Sequence, residues 1–263
     1  MRHTADDGRD VQDWCKESRG MRIEQGADTR RIWPDLAMGL ALAVGISLAL
    51  WPSHEAPGAL GAALVAHLAL SALVIAAWTR ELRGFGWANR VTLLRGALIT
   101  ALAGMALAPL FRPGAEAETL WPLSALALLA LLLDGLDGWV ARRTHTLTHF
   151  GARFDMELDA FLILLLCIAL ITHDKAGPWV LMLGGMRYVF VVSGRLWPWL
   201  AAPLPESRRR KAICVIQVGA LLVACSPFAS PLMTPFLLAL ALTLLSASFL
   251  RDIHWLWQRQ RCP

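Results

Sequence analysis

Charge is scarce in this 263-residue chain. Asp, Glu, Lys and Arg together make up 17% of it, against about 25% in an ordinary soluble domain. The apolar set AVILMFWYC reaches 56%, with 20 glycines to be added, and the mean hydropathy is +0.50. A soluble globule of this size cannot hide that much apolar surface, which excludes a water-soluble enzyme. The same lack of polar residues excludes disorder. Cysteine is also sparse: Cys15, Cys167, Cys214, Cys225 and Cys262 form an odd set with no CxxC and no Cys/His pairing. That excludes a disulfide framework and leaves the thiols as small apolar packing groups. No repeat of fixed period is present.

What fills the chain instead is long apolar runs. A helix needs roughly 20 such residues to cross about 30 Å of hydrocarbon. Eight windows qualify: 32–51, 57–78, 91–110, 121–140, 154–172, 178–192, 212–226 and 231–250. The sixth and seventh are the shortest. The expected fold is therefore all-α, a polytopic transmembrane bundle. Of the 25 basic residues, 21 fall in the terminal segments or in alternate connections; only Arg112 and Lys175 lie opposite, and Arg95 and Arg187 fall within spans. This bias puts both termini in the cytoplasm. Trp33, Trp51, Trp78, Trp121, Trp179, Trp197, Trp199, Trp255 and Trp257 mark span ends, where an amphipathic ring favours the headgroup layer. The net charge of +5 suits an anionic lipid leaflet and calls for no nucleic acid.

Three regions follow. Residues 1–31 form a polar cytoplasmic arm with seven basic and seven acidic residues; residues 32–79 form a two-helix addition whose spans carry no charge beyond Asp35; residues 80–263 hold the chemistry. The stretch 80–90, basic and aromatic, reads as an interfacial helix.

An acid inside a bilayer is costly and marks function. The fourth span ends LLLDGLDGWVARR and the fifth begins FGARFDMELDAF, so that Asp134, Asp137, Asp155 and Asp159 converge on one end of the bundle. Spacings of three and four put each pair on one helix face. Four neighbouring carboxylates need a compensating cation, and hard oxygen ligands suit Mg²⁺ or Mn²⁺. Gly138, Ala141 and Gly151 remove side chains where a bulky group could approach the backbone, and Arg142 offers a guanidinium fork for phosphate. Together these describe a site for a diphosphate-bearing nucleotide. Arg187, within a nominal span, should face the bundle interior. With Arg195, Arg208, Arg209, Arg210 and Lys211 it would form a cationic pocket for an anionic acceptor; the run from Arg208 reads equally well as a headgroup-facing positive cluster.

The segment Asp134-Gly-Leu-Asp137-Gly138-Trp-Val-Ala141-Arg142, eight residues, Gly151, three residues, Asp155, three residues, Asp159 resembles in full the signature D-x2-D-G-x2-A-R-x8-G-x3-D-x3-D of the CDP-alcohol phosphotransferase family. Eight fixed positions at fixed spacing make this a specific match. Asn89, Thr92 and Arg95 are similar to the N-x-x-T-x-x-R pattern before the family's first core helix. Arg187 and Arg195 resemble arginines of bacterial phosphatidylglycerophosphate synthases, although Tyr188 stands where those have Glu.

The resemblance implies a six-helix core over about 84–257, with the first two spans outside it. It implies transfer of a phosphoalcohol group from a CDP-alcohol, typically CDP-diacylglycerol, to an acceptor hydroxyl with release of CMP, in phospholipid synthesis. Asp134, Asp137, Asp155 and Asp159 would hold one or two Mg²⁺ or Mn²⁺ ions, and Asp159 would be the base. Asp137, Gly138, Ala141, Arg142 and Gly151 would seat the nucleotide; Asn89, Thr92, Arg187, Arg195 and Lys211 are candidates for the acceptor or its phosphate. A homodimer in a bacterial inner membrane, with the active site cytoplasmic, is the expected setting, and the absence of a placed Ser, Cys or His nucleophile implies direct attack. A polyprenyl transferase should show two separate Asp-rich motifs. A proton- or cation-coupled transporter should show inverted repeats and acids at the midplane. A silent scaffold would not keep the signature intact.

Overall fold

The computed structural model describes residues 33–50, 57–77, 87–112, 114, 116–144, 149–202 and 207–261. The arm expected over 1–31 and the segment 80–86 of the basic-aromatic stretch lie outside the described residues. Eight α-helices are present among the described residues, and no strand. They are α1 (Trp33–Leu50), α2 (Pro57–Ala77), α3 (Trp87–Phe111), α4 (Glu116–Thr144), α5 (His149–Thr172), α6 (Leu181–Leu196), α7 (Arg208–Cys225) and α8 (Met233–Arg261). Short 3₁₀ turns at Pro178–Val180 and Pro198–Ala201 flank α6. Proline begins each turn, where its fixed φ and missing N–H cost nothing.

The all-α bundle is as the apolar runs require, and each expected span corresponds to one α-helix, the sixth with a 3₁₀ turn at its start. Among the described residues, four segments are long and apolar enough to cross a membrane by length and composition: Trp33–Leu50, Val91–Phe111, Pro178–Leu196 and Met233–Gln258. Pro57–Ala72 and Leu120–Gly135 are shorter apolar stretches. On α5 and α7 the apolar run is diluted at one end, by Asp155, Glu157 and Asp159 on one helix and by Arg208 to Lys211 on the other.

The helix at the centre is α3, which packs against α1, α2, α4 and α5. Its membrane-length segment is 83% buried, against 22% for α1, 17% for Pro178–Leu196 and 28% for α8, so the remaining three present most of their apolar surface outward. The cause is side-chain size. Ala97, Ala101, Ala103, Ala106 and Ala108 are all fully or almost fully buried on α3, and without a hydrophobic drive between helices in lipid, small residues permit the close approach that dispersion needs. At Gly104 an added Cβ would lie 2.7 Å from the Ala59 carbonyl oxygen of α2. At Gly184 of α6 it would lie 2.9 Å from the Leu164 Cα of α5. Both crossings require glycine.

Polar groups tie this frame together. Thr100 of α3 donates to the Ala97 carbonyl at 3.0 Å, which leaves its oxygen to accept from His67 Nδ1 of α2 at 3.3 Å. The two-helix addition thus buries a histidine as well as Asp35. At the other side of the bundle Lys175 donates to the Ala224 and Ser226 carbonyls at 3.3 and 2.5 Å, capping the C-terminus of α7 with a cation as the exposed helix carbonyls favour.

Candidate active site

Asp134 lies in the C-terminal half of α4, and Asp155 and Asp159 lie one turn apart in the N-terminal half of α5. These two helices touch one another little; each packs chiefly on α3. The acids are therefore gathered around α3, which enters between them. From α3 comes Arg95, whose side chain is 0% exposed. Its Nη1 donates to Asp134 Oδ1 at 2.7 Å and also to Asp155 Oδ1. Its Nη2 donates to Asp159 Oδ1. The three carboxylate groups are 35–38% exposed, so the guanidinium meets them from inside the bundle and their outer sides stay open.

One oxygen from each of Asp134, Asp155 and Asp159 lies within 4.8 Å of the others. Three carboxylates at that separation repel, and one guanidinium offsets only part of their charge. The donor set consists of hard anionic oxygens, partly exposed and, among the described residues, met by one cation, which fits a divalent cation of the magnesium or manganese type.

Thr92, buried one turn before Arg95 on α3, shares its face. Arg187 of α6 reaches α5 at a different point, donating from Nη2 to Glu157 at 2.9 Å. Two residues on from Asp155, Glu157 projects from another side of α5, so this pair stands beside the acid cluster. Arg195 is exposed in the last turn of α6, two turns beyond Arg187, and Lys211 is exposed in the first turn of α7. Among the described residues neither forms an ion pair with Asp134, Asp155 or Asp159. Asp137, Gly138, Ala141 and Arg142 fall on α4, Gly151 on α5 and Asn89 on α3, but their side chains lie outside the described residues.

The basic run after Ser207 starts α7 and is anchored. Arg209 donates to Ser248 Oγ at 2.7 Å and to Asp252 Oδ1 at 2.6 Å, both on α8, and Arg210 sits 3.7 Å from Asp252. Two of the arginines considered for an acceptor pocket are thus engaged in joining α7 to α8. Sequence reasoning missed the role of Arg95. The signal was there, an arginine inside an apolar run, but its partners are 39 to 64 residues away.

A family model described as CDP-alcohol phosphatidyltransferase matches residues 85–247, from the start of α3 into α8. Among curated proteins, a CDP-diacylglycerol–glycerol-3-phosphate 3-phosphatidyltransferase of Bacillus subtilis (strain 168) is 29% identical over 158 residues, which is 55% of this chain and 80% of the relative. No solved structure matches the chain.

Proposed function

Because the chain belongs to the CDP-alcohol phosphatidyltransferase family, we propose that the carboxylates around Arg95 are the centre at which a phosphatidyl group passes from CDP-diacylglycerol to an anionic acceptor alcohol. The chain is an integral membrane transferase of phospholipid biosynthesis, acting on a CDP-alcohol and a hydroxyl acceptor. The observation that carries the reading is the meeting of Asp134, Asp155 and Asp159 within a radius suited to a metal, at three of the eight positions of an unbroken signature.

In this reading Asp134, Asp137 and Asp155 hold one or two divalent ions, Mg²⁺ or Mn²⁺, with Asp159 close to the second. A bound ion supplies charge neutralisation on the diphosphate and on the departing phosphate, where phosphoryl chemistry needs it most. Gly138 and Gly151 leave room for the nucleotide, Ala141 keeps the adjoining turn small, and Arg142 reads its phosphate. Asp159 takes the proton of the acceptor hydroxyl as the new P–O bond forms and the bond to CMP breaks. The acceptor's anionic group lies toward Arg187, with Arg195 and Lys211 further along the same rim and Asn89 and Thr92 on the α3 side. Glycerol 3-phosphate, the acceptor named for the Bacillus relative, is the first to test. The catalytic domain is taken as 80–263, with α1 and α2 as an addition. The charge bias supports a cytoplasmic site and cytoplasmic termini, and a homodimer in a bacterial inner membrane is the proposed setting.

The test is CMP release by the purified chain given CDP-diacylglycerol, Mg²⁺ or Mn²⁺, and a panel of acceptors with glycerol 3-phosphate among them. Release that depends on an acceptor and stops on chelation is expected. No release with any acceptor defeats the proposal.

A further inference from the structure

The geometry points to Arg95 as an exchangeable counter-cation: it occupies the carboxylate oxygens while no metal is bound, and it gives them up when a divalent ion enters. This rests on the metal reading above and adds a competitor built into the chain.

A guanidinium that is fully buried, as Arg95 is, must be paired, because an isolated charge in a low-dielectric bundle is strongly disfavoured. Arg95 satisfies that requirement on all three acids at once: Nη1 serves Asp134 and Asp155, and Nη2 serves Asp159. Each contact is made to an Oδ1 atom, and the three carboxylates are the same ones that bring ligand oxygens within 4.8 Å of each other. Carboxylate oxygens in direct contact with a guanidinium cannot serve a divalent ion at full strength, because the two cations repel and compete for the same lone pairs. The planar fork explains why arginine stands here: it spans three acceptors that an ammonium would meet at a single point. The incoming ion has an approach, since the acids are 35–38% exposed on the side away from Arg95. Arg95 is thus a positioning residue, holding the triad together before the metal arrives and weakening metal affinity as it does so.

The sign of that effect separates this role from ordinary structural support. A residue that only braced the ligands would lower metal affinity when removed; a competitor raises it. The experiment is a Mn²⁺ titration of the detergent-purified full chain, followed by the electron paramagnetic resonance of free Mn²⁺, with thermal unfolding of each sample. Arg95→Gln is expected to bind Mn²⁺ about tenfold more tightly than the wild type, and to gain more in Tm from saturating Mn²⁺, as linkage requires of a tighter ligand. Arg95→Lys, which keeps the charge and loses the fork, serves if the glutamine variant does not fold, and should bind about threefold more tightly. Equal or weaker affinity in the variant that folds overturns the proposal while the metal reading stands. A wild-type chain that binds no Mn²⁺ overturns both, and the wild-type titration by itself tells the two failures apart.

Discussion

Two ionic clusters help to hold this bundle together, and they are built in opposite ways. Around Arg95 one fully buried cation faces three partly exposed acids. Between α7 and α8, among the described residues, two cations, Arg209 and Arg210, face Asp252, and their side chains are 29–30% exposed against 14% for the acid. Among the described residues the first has more acids than cations and is open on its acidic side, so a divalent ion can approach it and compete with Arg95. The second sets two cations on an acid that is largely covered, so that acid is not open to a further cation. A fastener can cover its acid; a site needs acids that stay open to a ligand.

The largest effect should come from breaking the first imbalance. Asp134→Asn or Asp155→Asn is expected to reduce CMP release by about a thousandfold, on the scale seen when a group that stabilises transition-state charge is removed, while the protein still inserts in the membrane. Full activity in either variant would remove the metal assignment. Chelation of divalent cations tests the same deficit from the ligand side: release should fall to background and return with Mg²⁺ or Mn²⁺. An intermediate effect is expected at Arg187, which borders the acid cluster through Glu157. Arg187→Ala should raise the KM for the acceptor about tenfold, equivalent to about 1.4 kcal/mol, and leave the donor KM nearly unchanged; an unaltered acceptor KM removes Arg187 from the acceptor site. The smallest effect belongs to the fastener. Asp252→Asn should cost no more than about 1 kcal/mol of stability, since solvent screens partly exposed pairs, and should leave turnover within about twofold. A loss of turnover as great as that of Asp134→Asn would erase the contrast between the two clusters.

Helix count was legible because each span announces itself as an apolar run, but helix ends were not. The last run was read as 231–250, whereas α8 continues to Arg261; the seventh was read from residue 212, whereas α7 begins at Arg208; the fourth was read from 121, whereas α4 begins at Glu116. Hydropathy records where the chain is oily, and a helix can carry its hydrogen bonds on through charged turns into the polar layer. The sixth run erred in the other direction at its start, where Pro178 opens a 3₁₀ turn before the α-helix. Likewise, His67 does not stand out in the second run; only its burial between α2 and α3 beside Thr100 gives it a purpose.

By itself the sequence determined the membrane-spanning, all-helical class and the identity and spacing of the acids, because composition and a period of three or four residues act locally along one chain segment. It could not determine which helix would be central. That was decided by the small-residue surfaces of α3, which admit four neighbours at close range and thereby carry Arg95 in among carboxylates from two other helices. Which charges meet is set by how helices cross, and a crossing depends on the shapes of two surfaces that are far apart in the chain.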